Sequence, residues 1–367
     1  MDLLELALEQ ARLGLGRTSP NPAVGAVVAK DGVVLGRGHH IYANTLHAET
    51  VALAEAGSAA RGATLYVTLE PCSHSGRTAP CADALIAAGI TRVVAAMQDP
   101  NPLVAGQGFA KLRAAGIEVL IDSRFTPAAE QLNEAFCFFM RERRPLVTLK
   151  SALTLDGKIA APDDNTGWIT SEQARLHVQT LRHHTDTILT GIGTVLADDC
   201  LLTDRSGDDR SRPLLRIVVD SQLRLSPLSN MVETCTNDVL VATTSAANPE
   251  RRAALERKGV EVVVLDGADG RTSLRAVVEL LAARNYYSLM IEAGSKVNWA
   301  ALESGVVDKI FFYYAPKILG GTQSLPVAGG IGRRRRADAL RFRDVKLHPI
   351  SSDEFAVEAW LVRPAKS

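Results

Sequence analysis

Long apolar runs are missing from this sequence. No stretch approaches the ~18 consecutive apolar residues that a membrane-spanning helix needs, and the opening Met1-Asp2-Leu3-Leu4-Glu5 carries acids where a secretory leader carries bases. The expectation is a cytoplasmic chain with no membrane partner. Charge of one sign is also lacking: Lys+Arg and Asp+Glu each total 41, for a formal net charge of zero. No global field therefore favours nucleic acid or an anionic surface. Aromatic residues make up only 5%, which leaves little stacking surface for single strands. A small molecule is the expected partner. Cysteine is scarce, odd in number and irregularly spaced, at Cys72, Cys81, Cys137, Cys200 and Cys235. That pattern excludes a disulfide framework and reads as reduced thiols. No Gly-x-Gly-x-x-Gly follows the first strand of the second half, so a Rossmann dinucleotide fingerprint is excluded. Internal repeats are absent, and the one biased tract is the arginine run at 333–336, which suits either a solvated loop or a phosphate grip.

What is present is a long α/β pattern. A chain of 367 residues with 46% hydrophobic content exceeds one ordinary core and suits two domains. Apolar residues at helical spacing predict an opening helix over 3–13. Strands at 23–29 and 33–38 flank Lys30-Asp31-Gly32, whose Asp-Gly pair is a hairpin signal. Helices at 47–56, 81–88 and 105–115 alternate with strands at 64–69, 92–97 and 118–121. A linking helix is expected over about 128–140. The charged, proline-ended Arg141-Glu142-Arg143-Arg144-Pro145 then sets the boundary, giving domains 1–145 and 146–367. The second domain reads as strands at 147–149, 187–190, 215–219, 238–243, 261–265, 288–292, 309–315 and 355–361. Helices are expected at 172–183, 249–258, 274–284 and 298–304.

The chemistry of the first domain concentrates in His47-Ala48-Glu49, Pro71-Cys72 and Pro80-Cys81. His-x-Glu followed in order by two Pro-Cys pairs is the ligand pattern of a zinc-dependent nucleobase deaminase. His47, Cys72 and Cys81 supply one nitrogen and two sulfurs, and a catalytic site keeps the fourth position for water. Glu49 is near enough to move protons without ligating. A lone His-x-Glu would carry no weight; the ordered set does. Eight residues separate the cysteines here, where the common signature has two. In the second domain, Ile291-Glu292-Ala293-Gly294-Ser295-Lys296 is a strand ending in a glycine turn that opens a helix, a geometry suited to phosphate. Gly191-Ile192-Gly193 is a weaker fragment of the same kind.

The long intercysteine segment, Cys72-Ser73-His74-Ser75-Gly76-Arg77-Thr78-Ala79-Pro80-Cys81, closely resembles that of the bifunctional riboflavin-biosynthesis deaminase–reductase family. Thr18-Ser19-Pro20-Asn21-Pro22-Ala23-Val24-Gly25 and Gln98-Asp99-Pro100-Asn101-Pro102 are similar to other stretches of that family. So are Lys150-Ser151-Ala152-Leu153-Thr154-Leu155-Asp156-Gly157-Lys158, Gly167-Trp168-Ile169-Thr170-Ser171 and Ala315-Pro316-Lys317-Ile318-Leu319-Gly320-Gly321. Departures fall at Ser75, where the family usually has histidine, at Ala79, where it has proline, and at Asn44-Thr45-Leu46 before the His-Ala-Glu. None is a metal ligand.

The resemblance implies an α/β protein with an N-terminal cytidine-deaminase-like α/β/α domain and a C-terminal dihydrofolate-reductase-like α/β domain. It implies zinc and NADPH as cofactors and a pyrimidine ribosyl phosphate as substrate, deaminated to a uracil and then reduced from ribosyl to ribityl. It further implies a homo-oligomer. Carried over by position, Ala152, Trp168, Thr194, Asp198, Ser221, Gly294, Ser295, Lys296, Val297, Asn298, Trp299 and Ala300 contact the cofactor. Thr166, Arg182, Leu202, Arg205 and Glu292 contact the ribosyl phosphate. Lys150 and Asp198 are candidates for steering a proton, or are core or ion-pair residues. Arg77 suits a phosphate or ring-edge contact or a surface arginine. Asn21, His40 and His74 suit either the pyrimidine pocket or turns and packing. The alternative is a deaminase whose second domain binds nucleotide without reducing it.

Overall fold

The computed structural model describes residues 2–74, 79–163, 165–267 and 269–363. The chain folds as two compact units, one of Met1–Arg143 with Asp209–Arg212, the other of Arg144–Asp208 with Pro213–Ser367. In the first unit, helix α1 (Leu3–Arg12) begins at Asp2, whose carboxylate caps the Leu4 N–H at 3.1 Å. Strands β1 (Gly25–Lys30) and β2 (Val33–His39) form the expected hairpin, with Asp31 and Gly32 at φ 50° and 80°. Then come α2 (Ala48–Ala56), β3 (Thr64–Val67), α3 (Cys81–Ala88), β4 (Arg92–Ala95), α4 (Gln107–Ala114) and β5 (Glu118–Ile121). The sheet runs β2-β1-β3-β4-β5, antiparallel for β2-β1-β3 and parallel for β3-β4-β5. Leu65, Leu85, Val93 and Leu112 are fully buried at its centre.

Small residues position α2. A Cβ at Gly36 would stand 2.2 Å from the Ala52 carbonyl oxygen, and one at Gly38 would stand 2.1 Å from that of Ala48. The helix backbone thus rests directly on β2, which sets where its first residues, and the His47-Glu49 pair, project. The expected helix over 128–140 is instead two, α5 (Thr126–Leu132) and α6 (Glu134–Glu142), broken at Asn133. The buried Asn133 amide accepts from the Ala23 N–H at 2.7 Å and donates to the Ala23 carbonyl at 2.9 Å. That pairing, 110 residues distant in sequence, outweighs helix continuity.

The second unit contains β6 (Leu146–Thr154), β7 (Lys158–Ala160), α7 (Glu172–His183), β8 (Thr187–Gly191), α8 (Ile192–Asp198), β9 (Leu215–Val219), α9 (Asn230–Glu233) and β10 (Val239–Thr243). It continues with α10 (Pro249–Glu256), β11 (Glu261–Val264), α11 (Leu274–Ala283), β12 (Ser288–Ile291), α12 (Ser295–Glu303), β13 (Lys309–Ala315), β14 (Leu325–Pro326), β15 (Phe342–Pro349) and β16 (Phe355–Leu361). The nine-stranded sheet runs β11-β10-β9-β8-β12-β6-β13-β16-β15, parallel from β11 through β13 and antiparallel at its last two pairings. Successive residues feed opposite faces. Leu189, Ile217, Leu240 and Leu289 enter one apolar layer, and Ile188, Val218, Val241 and Met290 the other. Burial of both faces explains the continuous apolar strands.

Four further expectations differ from the fold. The strand expected at 147–149 runs nine residues, because Lys150 and Thr154 are polar but still pair with β13. Helix α8 replaces an expected glycine fragment, and α12 begins at Ser295 rather than at residue 298. Strand β15 went unpredicted because it is an edge strand with mostly exposed residues and no apolar alternation.

Candidate active sites

In the first unit, His47 is the N-cap of α2 and Glu49 lies in that helix's first turn. Cys81 is the first residue of α3, and Cys72 sits beside it in the preceding loop. The Cys81 N–H donates to Cys72 Sγ at 3.3 Å, and the Ala82 N–H to the Cys72 carbonyl at 3.1 Å. His47 Nδ1 lies 3.2 Å from Cys81 Sγ and 3.5 Å from Cys72 Sγ. The three ligand atoms fall within 4.8 Å of one another. Hydrogen bonds from Cys81 and His47 pull the Cys72 thiol down to about 4, against its burial. The Cys72 sulfur and burial push Cys81 up, and the Cys72 contact raises His47. Glu49 is 4% exposed; burial, aided by the Cys72 charge, pushes it up to about 7. One imidazole and two sulfurs, one of them readily ionised, are the donor set of a three-ligand zinc site with a position left for water.

Two of the expected pocket residues stand beside this cluster. His40, itself buried, is engaged at both nitrogens: Nδ1 meets the Leu46 carbonyl at 2.8 Å and Nε2 meets Asn21 Nδ2 at 3.0 Å. A carbonyl can only accept, so Nδ1 carries the proton and Nε2 takes the Asn21 N–H. Burial lowers the His40 pKa, which suits this neutral form. The His40 and His47 rings meet edge-on at 5.3 Å. His74 is exposed. Arg77 and Ser75 lie outside the described residues.

In the second unit the polar residues gather where parallel strands end, the usual ligand crevice of such sheets. Glu292 follows β12 with its side chain 10% exposed. Arg182 of α7 forks onto it, Nε to Oε1 at 2.8 Å and Nη2 to Oε2 at 3.0 Å, and Lys150 of β6 reaches Oε2 at 3.1 Å. Burial would raise this carboxyl, but the charges of Lys150 and Arg182 overcome it and hold it at about 2. Arg182 Nη1 also donates to the Thr203 carbonyl at 3.0 Å. The structure therefore brings Lys150, Arg182 and Glu292 into one network, with the guanidinium fork engaged by Glu292. Tyr313, which residue pattern did not single out, lies beneath it: Lys150 Nζ is 5.8 Å from its ring centroid, and its hydroxyl meets His177 Nδ1 at 2.6 Å. The signal was a run of four aromatic residues, Phe311-Phe312-Tyr313-Tyr314, which reads equally well as core.

Gly294 is the extended N-cap of α12, and a Cβ there would be 3.5 Å from Thr194 Oγ1, so the β12–α12 and β8–α8 turns adjoin. The hydroxyls of Ser295 and Thr190 and Asn298 Oδ1 are buried without a hydrogen-bond partner among the described residues. A Cβ on Gly193 would meet nothing within 4 Å. Unpaired buried polar atoms beside an open glycine turn fit a polar cofactor such as NADPH. Val297 packs on Gly191, and Asn298 Nδ2 donates to the Val327 carbonyl at 2.8 Å. Ser221 follows β9 and accepts the Thr272 N–H at 3.0 Å. Ala152 pairs opposite Tyr313 in the sheet. Asp198 ends α8, its carboxyl raised by burial. Lys296 is exposed and Ala300 half-buried.

Other predicted residues are more peripheral. Thr166 and Arg205 are exposed, and Trp168 is 68% exposed, stacked under Arg175 at 4.9 Å. Leu202 is buried with φ 52°, a backbone that β-carbon-bearing residues rarely adopt. In the arginine run, Arg333 covers the Trp299 ring at 5.6 Å and Arg335 pairs with Asp338 at 2.9 Å.

Fold and sites together define a two-headed enzyme, a zinc-dependent aminohydrolase joined to a nicotinamide-dependent reductase. A family model for the cytidine and deoxycytidylate deaminase zinc-binding region matches residues 1–97, and one for the RibD C-terminal domain matches residues 145–355. Riboflavin biosynthesis protein RibD of Aquifex aeolicus is 41% identical over 350 residues, covering 95% of each chain. That of Escherichia coli is 41% identical over 362 residues, again covering 95% of each. Among solved structures, Acinetobacter baumannii RibD superposes with a TM-score of 0.88 at 36% identity over 98% of both chains. A deaminase/reductase structure from Thermotoga maritima, also 36% identical over 98% of both, gives 0.83. The chain belongs to the RibD family of riboflavin biosynthesis proteins. It is a bifunctional deaminase and reductase that uses zinc and NADPH, and the two expected fold halves hold. A second domain that only binds nucleotide is not favoured. No helix among the described residues is long and apolar enough to cross a membrane.

Proposed function

We propose that the first site hydrolyses the amino group of a 2,5-diamino-6-ribosylamino-4(3H)-pyrimidinone 5′-phosphate, and that the second reduces the ribosyl group of the resulting 5-amino-6-(5-phosphoribosylamino)uracil. The observation that carries the first assignment is the convergence of His47, Cys72 and Cys81 beside a buried Glu49. Zinc held by those three residues would supply a water activated near neutral pH. Glu49 then takes one proton of that water and passes it to the ring nitrogen, and carries the second, from the hydroxyl so added, to the amino group that leaves as ammonia, a role that suits a carboxyl raised toward neutrality. Asn21, its amide N–H held by His40, would offer its amide oxygen to the pyrimidine edge. Arg77 and His74 complete the proposal as phosphate or ring contacts.

Bound at the second site, NADPH would supply the hydride. Residues 294–300, with Thr194, Ser221, Asp198, Ala152 and Trp168, would hold the cofactor. Glu292, locked by Arg182 and Lys150, presents its remaining lone pairs to ribose hydroxyls, and Arg205, Thr166 and Leu202 flank the phosphate. Lys150 is the group that can give a proton to the opening sugar. The domain division at 145/146, a cytoplasmic setting and a homo-oligomer joined through the second unit belong to the same proposal. Five cysteines with no disulfide among them support the setting, and the exposed Val345 and Leu347 on edge strand β15 support the assembly.

The test measures ammonia release and NADPH oxidation separately on the purified chain. Both should proceed in order from the diamino substrate. Glu49→Gln should abolish ammonia release while keeping bound zinc and full NADPH oxidation with the deaminated substrate. No NADPH consumption after deamination would sink the two-step reading.

A further inference from the structure

Glu70 lies two residues before Cys72 and is 5% exposed, a carboxyl side chain buried with no cation paired to it among the described residues. Four backbone N–H groups solvate it instead. Oε2 accepts from Asp99 at 3.1 Å and Gly106 at 2.9 Å, and Oε1 from Gly108 at 2.8 Å and Phe109 at 3.2 Å. Gly106 is the N-cap of α4 and has no side chain to cap that helix, so Glu70 satisfies the helix's otherwise orphaned donors from outside. A second contact ties the same two pieces together. A Cβ on Gly108 would lie 1.9 Å from the Pro71 carbonyl oxygen, so the first turn of α4 abuts the peptide that joins Pro71 to Cys72. On its other side Cys72 is gripped by the start of α3, through both its sulfur and its carbonyl. Cys72 is thus suspended between two helix N-termini, one reached directly and the other through Glu70 and Pro71.

We propose that Glu70 is a positioning residue for the metal centre, locking Pro71 against α4 so that Cys72 Sγ is held at zinc-binding separation from His47 and Cys81. The role requires a carboxylate of this length. Glutamine would turn an NH₂ toward two N–H donors, and aspartate is one methylene too short to span from the loop to the helix. Glu70 has no part in binding substrate or metal directly; it acts through Cys72. The role rests on His47, Cys72 and Cys81 being zinc ligands, and the experiment separates the two.

The full chain is prepared as wild type, Glu70→Gln, Gly108→Ala and Val93→Ala. The last opens a cavity in the core of the same sheet, at a residue outside the Glu70–Cys72 loop. Zinc affinity is read by competition with a chromogenic chelator, and ligand geometry by the thiolate-to-metal absorption of the cobalt-loaded chain. Glu70→Gln should weaken zinc by about 10–100-fold, the usual effect of losing a group that orients a ligand, and should alter the cobalt spectrum. Gly108→Ala should do the same by displacing the Pro71 carbonyl. Val93→Ala should lower the melting temperature while leaving affinity and spectrum at wild type. A wild-type affinity and spectrum in Glu70→Gln would overturn the positioning role, as would metal loss in Val93→Ala in proportion to its lost stability. A wild-type chain that takes up no zinc, or a Cys72→Ala chain that binds it unchanged, would overturn the ligand assignment itself and the positioning role with it.

Discussion

Replacing Glu292 with Gln removes the single negative charge that two buried cations share. The glutamate side chain is 10% exposed, with Lys150 at 11% and Arg182 at 10%, so solvent screening is slight. Its carboxyl is held at about 2 from an ordinary 4.5, a depression that corresponds to about 3 kcal/mol of folding stability at neutral pH. Breaking a buried pair by removing one partner costs about 3–5 kcal/mol, so both routes give the same order of magnitude. The sign follows from the depression. A carboxyl that is more acidic when folded contributes fully above its unfolded value and loses that contribution as pH falls through its folded one. The advantage of wild type over Glu292→Gln should therefore be constant from pH 7 to about 5 and decline below 4.5, with under half of it left near pH 3. All three tryptophans, Trp168, Trp299 and Trp360, belong to the second unit, so urea titrations followed by tryptophan fluorescence report that unit alone. Taking the difference between the two chains at each pH cancels the other carboxylates. A gap that stays flat down to pH 3, or no gap at pH 7, would refute the network as drawn.

Gly38→Val should push α2 off β2, since even a Cβ would stand 2.1 Å from the Ala48 carbonyl. Overpacking of this kind costs about 1–3 kcal/mol, and ammonia release should fall with zinc content while NADPH oxidation of the deaminated substrate persists. Asn133→Ala leaves the buried Ala23 N–H and carbonyl unpaired, for a loss of about 1–3 kcal/mol visible in chemical denaturation of the first unit. Lys150→Met should reduce NADPH oxidation by about 100-fold if the amine delivers a proton, with ammonia release unchanged.

The metal cluster was legible in the sequence because its chemistry is local. His47 and Glu49 share one helix start, and each cysteine opens or precedes another, so order and spacing alone restrict what the residues can do. The alternation of strands and helices was legible for a related reason, since strands buried on both faces must be apolar throughout. What escaped depends on partners far along the chain. Asn133 looks like an ordinary helix residue until Ala23 is beside it. Strand β15, an exposed edge, carries no periodic signal at all.

The reductase network shows why residue type alone is insufficient. Arg182 is a natural phosphate ligand by chemistry, and the resemblance placed it on the ribosyl phosphate. In the folded chain its fork is closed on Glu292, and a third N–H reaches the Thr203 carbonyl. An arginine so engaged acts first on the carboxylate: with Lys150 it keeps Glu292 ionised in a buried place where the acid would otherwise be neutral. An ionised Glu292 can only accept hydrogen bonds, which makes it a receptor for hydroxyl groups and a poor neighbour for phosphate. On this reading the phosphate is expected away from this carboxylate, toward exposed groups such as Arg205. Arg182→Lys should separate these roles. It keeps the charge but loses the fork, so a sugar analogue lacking phosphate should lose affinity as much as the phosphorylated substrate does. A loss confined to the phosphorylated compound would return Arg182 to the phosphate.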